Sequence, residues 1–257
     1  MARERDEGAP RMVLAEKRPP APMLGVAVVE DLVDAVVSGK LRPGESLPPE
    51  GPLSEQFGVS RTVIRESVKR VEEKGLVTIA RGRGTQVRSM TSWNLLDRVV
   101  LTSLIKHDET LGILDELSVV RAQLESVMAA EAARARTDAE LERLDRALQR
   151  MRETVDDQAA FRTADLEFHG VVMDISGNRL AESIARILME RALESWRYHG
   201  VDTPDAFAIT LHEHEAIHAA ITGQDAVRAQ DAMNGHILDS WRRRRLPDHA
   251  GKQPKHS

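Results

Sequence analysis

Leu53-Ser54-Glu55-Gln56-Phe57-Gly58-Val59-Ser60-Arg61-Thr62-Val63-Ile64-Arg65 reads as a helix, a glycine turn and a second helix. Gly58 supplies the backbone freedom that a sharp turn needs, and Ser60 is a residue type that caps a helix N-terminus. Downstream, Ile64, Val68 and Val71 recur at i, i+4 and i+7, the spacing of a buried helical stripe. Arg61, Arg65 and Lys69 recur at i and i+4 on a neighbouring face. A helix with one apolar face and an adjoining row of cations is suited to a DNA major groove, its N-terminal side chains reaching base edges and phosphates. After Gly75, Leu76-Val77-Thr78-Ile79 and Thr85-Gln86-Val87-Arg88 flank Arg81-Gly82-Arg83-Gly84. Two short β-prone runs around a basic glycine turn predict a hairpin wing, with arginines placed for the minor groove. A helical hairpin with a merely solvated charged face is the plain alternative. It does not account for turn, stripe and wing arriving in that order.

Charge distribution points the same way. The net charge is −5, yet residues 61–88 hold eight Lys/Arg against three Glu, which is +5 there and −10 over the remainder. A basic patch on an acidic chain is the footprint of a polyanion partner. The absence of cysteine excludes disulfides, thiol catalysis and thiolate metal sites. No run approaches the ~18 apolar residues of a membrane helix, and the charged N-terminus lacks a signal-peptide pattern. A cytoplasmic protein with no membrane partner is expected.

Of eleven prolines, eight precede residue 53 and none lies between Pro52 and Pro204. A long Ala/Leu/Arg/Glu tract with few breakers predicts a helical bundle. The fold class expected is mainly α: a winged helix-turn-helix followed by an all-α bundle of six or seven helices. The expected domains are a disordered arm over 1–22, a DNA-binding unit over 23–89, a helical unit over 92–245 and a tail over 246–257. Helices are predicted near 92–107, 111–135, 138–155, 158–176, 179–198, 205–222 and 224–244. Thr137 to Glu140 forms a capping-box pattern, Thr203-Pro204 a helix start, and Gly177 and Gly223 stand where C-terminal caps belong.

Leu41-Arg42-Pro43-Gly44-Glu45-Ser46-Leu47-Pro48, Glu50, Gly58-Val59-Ser60-Arg61, Arg65-Glu66, Gly75-Leu76 and Arg81-Gly82-Arg83-Gly84-Thr85 resemble the winged helix of GntR-family bacterial regulators. The resemblance spans 24–88 and implies a homodimer on a palindromic double-stranded DNA operator. It places DNA contacts on Ser60, Arg61, Thr62, Arg65, Arg81 and Gly82; Arg83 joins them as an expected phosphate contact. Gly51 departs from the family, which usually has arginine after Pro-x-Glu, so a common base contact is expected to be missing.

In the helical tract, Asp165 and His169 stand at i, i+4, as do His214 and His218, and His236 follows on the last helix. Imidazole and carboxylate ligands suit Zn²⁺, Ni²⁺ or Mn²⁺, although such pairs also occur as ordinary surface contacts. Residues 116–125, Asp165-Leu166-Glu167-Phe168-His169, Ser176-Gly177-Asn178, Glu213 to Ile217 and Met233 to His236 resemble the FadR-type C-terminal ligand-binding domain. That resemblance implies a metal set of Asp165, His169, His214 and His236, zinc favoured, with Arg121 helping to hold a small carboxylic acid. His218 is left as a candidate fifth polar group in the pocket. Trp93-Asn94-Leu95-Leu96-Asp97 resembles regulators of sugar-acid catabolism of the galactonate type. A repressor, not an enzyme, is therefore expected.

A competing reading is literal. His214-Glu215-Ala216-Ile217-His218 matches the His-Glu-x-x-His pattern of zinc hydrolases, with Glu215 as base. The extended pattern fails, because Ile221 stands where glycine is required. Trp93, Trp196 and Trp241 are expected to be packing residues, and Arg242 to Arg245 a solvated helix end that complements the helix dipole, with a second DNA contact as the lesser reading.

Overall fold

The computed structural model describes residues 21–80, 82, 84–199 and 205–245. The protein is mainly α and divides into two compact units, Met1–Trp93 and Asn94–Ser257. The first holds a winged helix-turn-helix and the second a helical bundle.

In the first unit α1 (Ala21–Val37), α2 (Glu50–Phe57) and α3 (Arg61–Glu73) precede a hairpin of β1 (Val77–Ala80) and β2 (Gly84–Val87). Helix α1 thus takes in Ala21 and Pro22, residues expected in the arm. Apolar side chains of α1 (Val29, Leu32, Val33), Leu53 and the Ile64/Val68/Val71 stripe of α3 are buried, as the periodicity requires. Ser67 Oγ donates to the Gly25 carbonyl at 3.2 Å, tying α3 to α1. Gly58 closes α2 at φ +63°, and Ser60 Oγ accepts from Val63 N at 3.4 Å. The strands pair antiparallel from Val77↔Val87 to Ala80↔Gly84, and Ser46 adds a bridge to Gln86. Glu72 Oε1 accepts from Ile79 N at 2.7 Å, fastening the wing to α3.

The second unit contains α4 (Arg98–His107), α5 (Gly112–Ala135), α6 (Asp138–Glu153), α7 (Gln158–Ser176), α8 (Arg179–Glu194), α9 (Trp196–His199), α10 (Ala206–Thr222) and α11 (Ala226–Arg244). Its main core gathers apolar side chains of α5, α6, α7, α10 and α11, among them Leu144, Phe161, Phe168, Ile217 and Met233. The Thr137/Glu140 capping box forms, and Gly177 caps α7 at φ +67°.

Four sequence expectations change. The helix expected from residue 92 starts at Arg98, because Asp97 caps it by accepting from Val99 N and Val100 N. The helix expected over 179–198 breaks at Ser195, whose extended backbone (ψ 122°) separates α8 from the one-turn α9. Gly223 caps α10 as expected, its N–H on the Ala219 carbonyl, but without a left-handed turn, and the positive φ (+55°) falls on Gln224 instead. Of the tryptophans, Trp241 is buried against Tyr198 (ring centroids 5.5 Å apart) and Trp93 donates to the Arg88 carbonyl, but Trp196 is 70% exposed. The Thr203-Pro204 start, the arm before Ala21 and the tail from 246 lie outside the described residues.

Candidate nucleic-acid interface and candidate metal centre

Helix α3 buries Ile64, Ser67, Val68 and Val71 and exposes Arg61, Thr62, Arg65 and Lys69. Among the described residues, Arg61, Arg65 and Lys69 make no ion pair, so their charge is available to phosphates. Ser60 is exposed; its oxygen serves the cap, which leaves its proton to donate outward. Gly82 sits exposed at the wing tip at φ +77°. Arg81 and Arg83 lie outside the described residues. Gly51 stands beside this face: a side chain there would begin 3.6 Å from Arg61 Nη2, so Arg61 borders the space that a longer residue would enter.

In the helical unit, α7 carries Asp165 and His169, α10 carries His214 and α11 carries His236. The fold brings these four together, with one ligand atom from each within 4.8 Å of all the others. His169 Nε2 lies 3.3 Å from His236 Nε2 and 3.3 Å from His214 Nε2, and His214 Nε2 lies 3.3 Å from Asp165 Oδ1. Ligand atoms ~2.1 Å from one ion and roughly 104° apart would be spaced about 3.3 Å from one another. The three histidines are buried.

The far nitrogen of each ring fixes the tautomer. His214 Nδ1 is 2.8 Å from the Thr210 carbonyl, an acceptor only. His236 Nδ1 is 2.8 Å from Glu213 Oε2. His169 Nδ1 is 2.7 Å from Glu125 Oε2, and among the described residues neither atom has another partner, so that proton faces the carboxylate. Each proton therefore sits on Nδ1, and three Nε2 lone pairs converge on one point. Without a cation there, they repel. Burial holds the His214 imidazole down to about 4 against the pull of Asp165, and burial with the neighbouring histidines holds His236 well below its ordinary value. Neutral imidazoles are the form that metals bind.

A cleft enclosing about 810 Å³, part of it open to solvent, adjoins these residues and is lined by Asp165, His169, His236, Arg121, Tyr198 and Arg244, among others. Arg121 is buried; its Nε donates to Glu125 Oε1 at 2.7 Å and its Nη1 to the Tyr198 hydroxyl at 2.7 Å. Burial opposes both charges of this pair, yet Arg121 and His169 hold the Glu125 carboxyl down to about 2, and Glu125 and Tyr198 hold the guanidinium above its ordinary value.

Two sequence expectations, those for His218 and for the arginine run, are not met here. His218 does not line the cleft; Asp145 of α6 holds its Nε2 on another side of α10. The His-Glu-x-x-His residues also diverge: His214 points inward, while Glu215 is held by Arg152 Nε and Nη2 at 3.0 and 2.8 Å. Nor is the arginine run a solvated end. Arg243 makes a two-pronged contact with Glu213 (2.6 and 2.8 Å), Arg244 stacks on Tyr198 at 4.7 Å, and Arg245 pairs with Asp115 at 2.8 Å; Arg242 pairs with Asp239.

Sequence reasoning missed Glu125, Glu213, Tyr198, Arg243 and Arg244 as parts of this site. Glu125 was legible as the i+4 partner of Arg121. No local pattern marks Tyr198, which reaches the cleft only because the chain breaks at Ser195.

Residues 24–87 match the family described as bacterial regulatory proteins, gntR family, and residues 116–239 match the FCD domain. The chain is 33% identical over 220 residues to the galactonate operon transcriptional repressor of Escherichia coli, covering 84% of this chain and 94% of that one. It is 29% identical to the HTH-type transcriptional regulator LutR of Bacillus subtilis, covering 79% of this chain and 93% of that one. The solved structure of Lar, a protein that controls expression of the Listeria monocytogenes agr system, shares the fold at TM-score 0.55 and 16% identity, over 89% of this chain and 98% of that one.

Proposed function

This chain belongs to the GntR family of bacterial regulatory proteins, as a transcription regulator with an FCD ligand-binding domain, and from that premise we propose that it is a homodimeric repressor released by a small carboxylic acid. The carrying observation is the convergence of three imidazole lone pairs and Asp165 beside an arginine-lined cleft. Asp165, His169, His214 and His236 would hold a divalent ion, zinc being favoured by the imidazole-rich set, with nickel or manganese also accommodated. When bound, the ion supplies a Lewis-acidic anchor for the carboxylate and α-hydroxyl of a sugar acid.

The protein's own groups do the rest. Glu125, Glu213 and the Thr210 carbonyl orient the rings and keep Nε2 free of protons. Arg121 Nη2, which makes no hydrogen bond to another described residue, offers an N–H to the effector. At the DNA, Ser60, Arg61, Thr62, Arg65 and Gly82 meet operator bases and phosphates, together with Arg81 and Arg83 of the wing. Two winged helices at fixed separation read the palindrome. The effector shifts that separation only by binding one geometry better than the other. The relative's action on a galactonate operon favours sugar acids as the effector class here.

The test combines elemental analysis with fluorescence anisotropy on palindromic and scrambled duplexes. Wild type should hold one metal per chain, prefer the palindrome and release it with a sugar acid. His214→Ala should lose metal and response yet keep operator binding. Full metal content with an unchanged response in that variant would overturn the site, and equal binding of both duplexes by wild type would overturn the operator reading.

A further inference from the structure

Tyr198 is the one tyrosine of the chain, buried in the one-turn helix α9. Its ring is held by two contacts: Trp241 stacks on it nearly parallel (11°) with centroids 5.5 Å apart, and Arg244 Cζ lies 4.7 Å from its centroid. That grip sets the hydroxyl among groups that only donate. Arg121 Nη1 donates to it at 2.7 Å, and Arg244 Nη2 does so more weakly at 3.5 Å. All three side chains line the cleft beside Asp165, His169 and His236.

A guanidinium has no lone pair to offer, so both contacts use the phenol oxygen as an acceptor and leave its proton unspent. Among the described residues nothing accepts that proton. A buried donor without an acceptor is costly unless a ligand supplies one. The same two cations also make the donor stronger: burial pushes the phenol up, but Arg121 and Arg244 outweigh that and hold it below its ordinary value. We propose that Tyr198 reads the effector, its O–H donating to an acceptor oxygen of the small carboxylic acid in the cleft. This rests on the metal-centred reading above and adds to it a specificity contact from α9. The contact has one polarity. With its oxygen already facing Arg121 and Arg244, Tyr198 can give a proton but has no free lone pair for a ligand N–H, so a carboxylate oxygen fits there and an ammonium does not.

Because the chain has one tyrosine, ¹³C placed at Cζ of every tyrosine reports on this residue alone in the zinc-loaded full-length protein. Galactonate, gluconate and L-lactate are titrated in turn. Each acid that binds should move the resonance downfield, the direction of a phenol yielding its proton. Tyr198→Phe keeps the ring on Trp241 and should weaken the tightest of these acids about tenfold, as for one hydrogen bond to a charged acceptor, with zinc content still one per chain. Replacing tyrosine throughout by 3-fluorotyrosine makes this phenol a stronger donor and a poorer acceptor. At about pH 6, where it stays protonated, the fluorinated protein should bind the acid tighter. A role confined to accepting from Arg121 gives the opposite sign. An unmoved resonance at saturation, weaker binding by the fluorinated protein, or loss of zinc in Tyr198→Phe would each overturn the inference while wild type still held metal and acid. If none of the three acids binds the zinc-loaded protein, the carboxylic-acid reading falls and this inference with it. A wild-type chain that takes up no zinc would bring down the metal centre beneath both.

Discussion

His236 directs its Nδ1–H at Glu213 across 2.8 Å, and the same carboxylate grips Arg243 through two hydrogen bonds. Glu125 repeats the arrangement, joining His169 to Arg121. Each carboxylate thus links a candidate metal ligand to an arginine, so one group orients both side chains.

Glu213→Gln keeps the shape and removes the charge. Outer-sphere partners of this kind typically contribute ~10–100-fold to metal affinity, and a loss in that range is expected. Competition with a fluorescent zinc chelator measures it. Operator affinity without effector should stay unchanged, since Glu213 belongs to the helical unit; unaltered zinc affinity would show that Glu213 does not position His236.

On the exposed face of α3, Arg65 and Lys69 are both free of described ion pairs but differ in position along the helix. Arg65, one turn from the helix start, is expected to read a base edge: Arg65→Ala should cost ~1–3 kcal/mol and relax specificity at one operator position. Lys69→Ala should weaken all sequences alike and flatten the salt dependence by about one counterion. Anisotropy across a salt series on matched and singly substituted duplexes distinguishes the two.

Gly75 turns the chain from α3 into the wing at φ +83°, and a Cβ there would lie 2.1 Å from the Ser92 carbonyl oxygen. Backbone, not a flexible side-chain end, would have to move. Gly75→Ala should destabilise the winged helix by more than ~1 kcal/mol. Thermal unfolding followed by circular dichroism should show a lower first transition, and operator affinity should fall with it.

Asp115 accepts from Trp241 Nε1 at 2.7 Å and from Arg245 Nε at 2.8 Å, which fastens the end of α11 to α5. Partial burial pushes its carboxyl up, but the Arg245 and Trp241 hydrogen bonds outweigh that and hold it below its ordinary 3.8. The folded value lies below the unfolded one, so the contribution is complete above about pH 5 and is lost as pH falls through the folded value. Asp115→Asn should melt earlier than wild type at pH 7, and the gap should close toward pH 3. A gap independent of pH would mean that the contact acts through shape alone.

Local sequence determined a good part of this protein. The turn at Gly58, the Ser60 cap, the Ile64/Val68/Val71 stripe, the basic glycine turn of the wing and the capping box at Thr137 are short-range features. Their physics is contained within a few residues, so their pattern predicts them. Asp165 and His169 were legible as a pair because one helical turn separates them, and resemblance added His214 and His236.

Tertiary structure decided which polar groups share the cleft. His218 has the same i, i+4 relation to His214 that His169 has to Asp165, yet Asp145 from α6 holds it elsewhere. Arg243, Arg244 and Arg245 read as a solvated helix end because their partners, Glu213, Tyr198 and Asp115, are distant in sequence. Tyr198 enters only through an extended residue at Ser195 that no glycine or proline announces. Spacing along one helix sets which side chains share a face, but the partner that a face meets is chosen by the packing of the other helices.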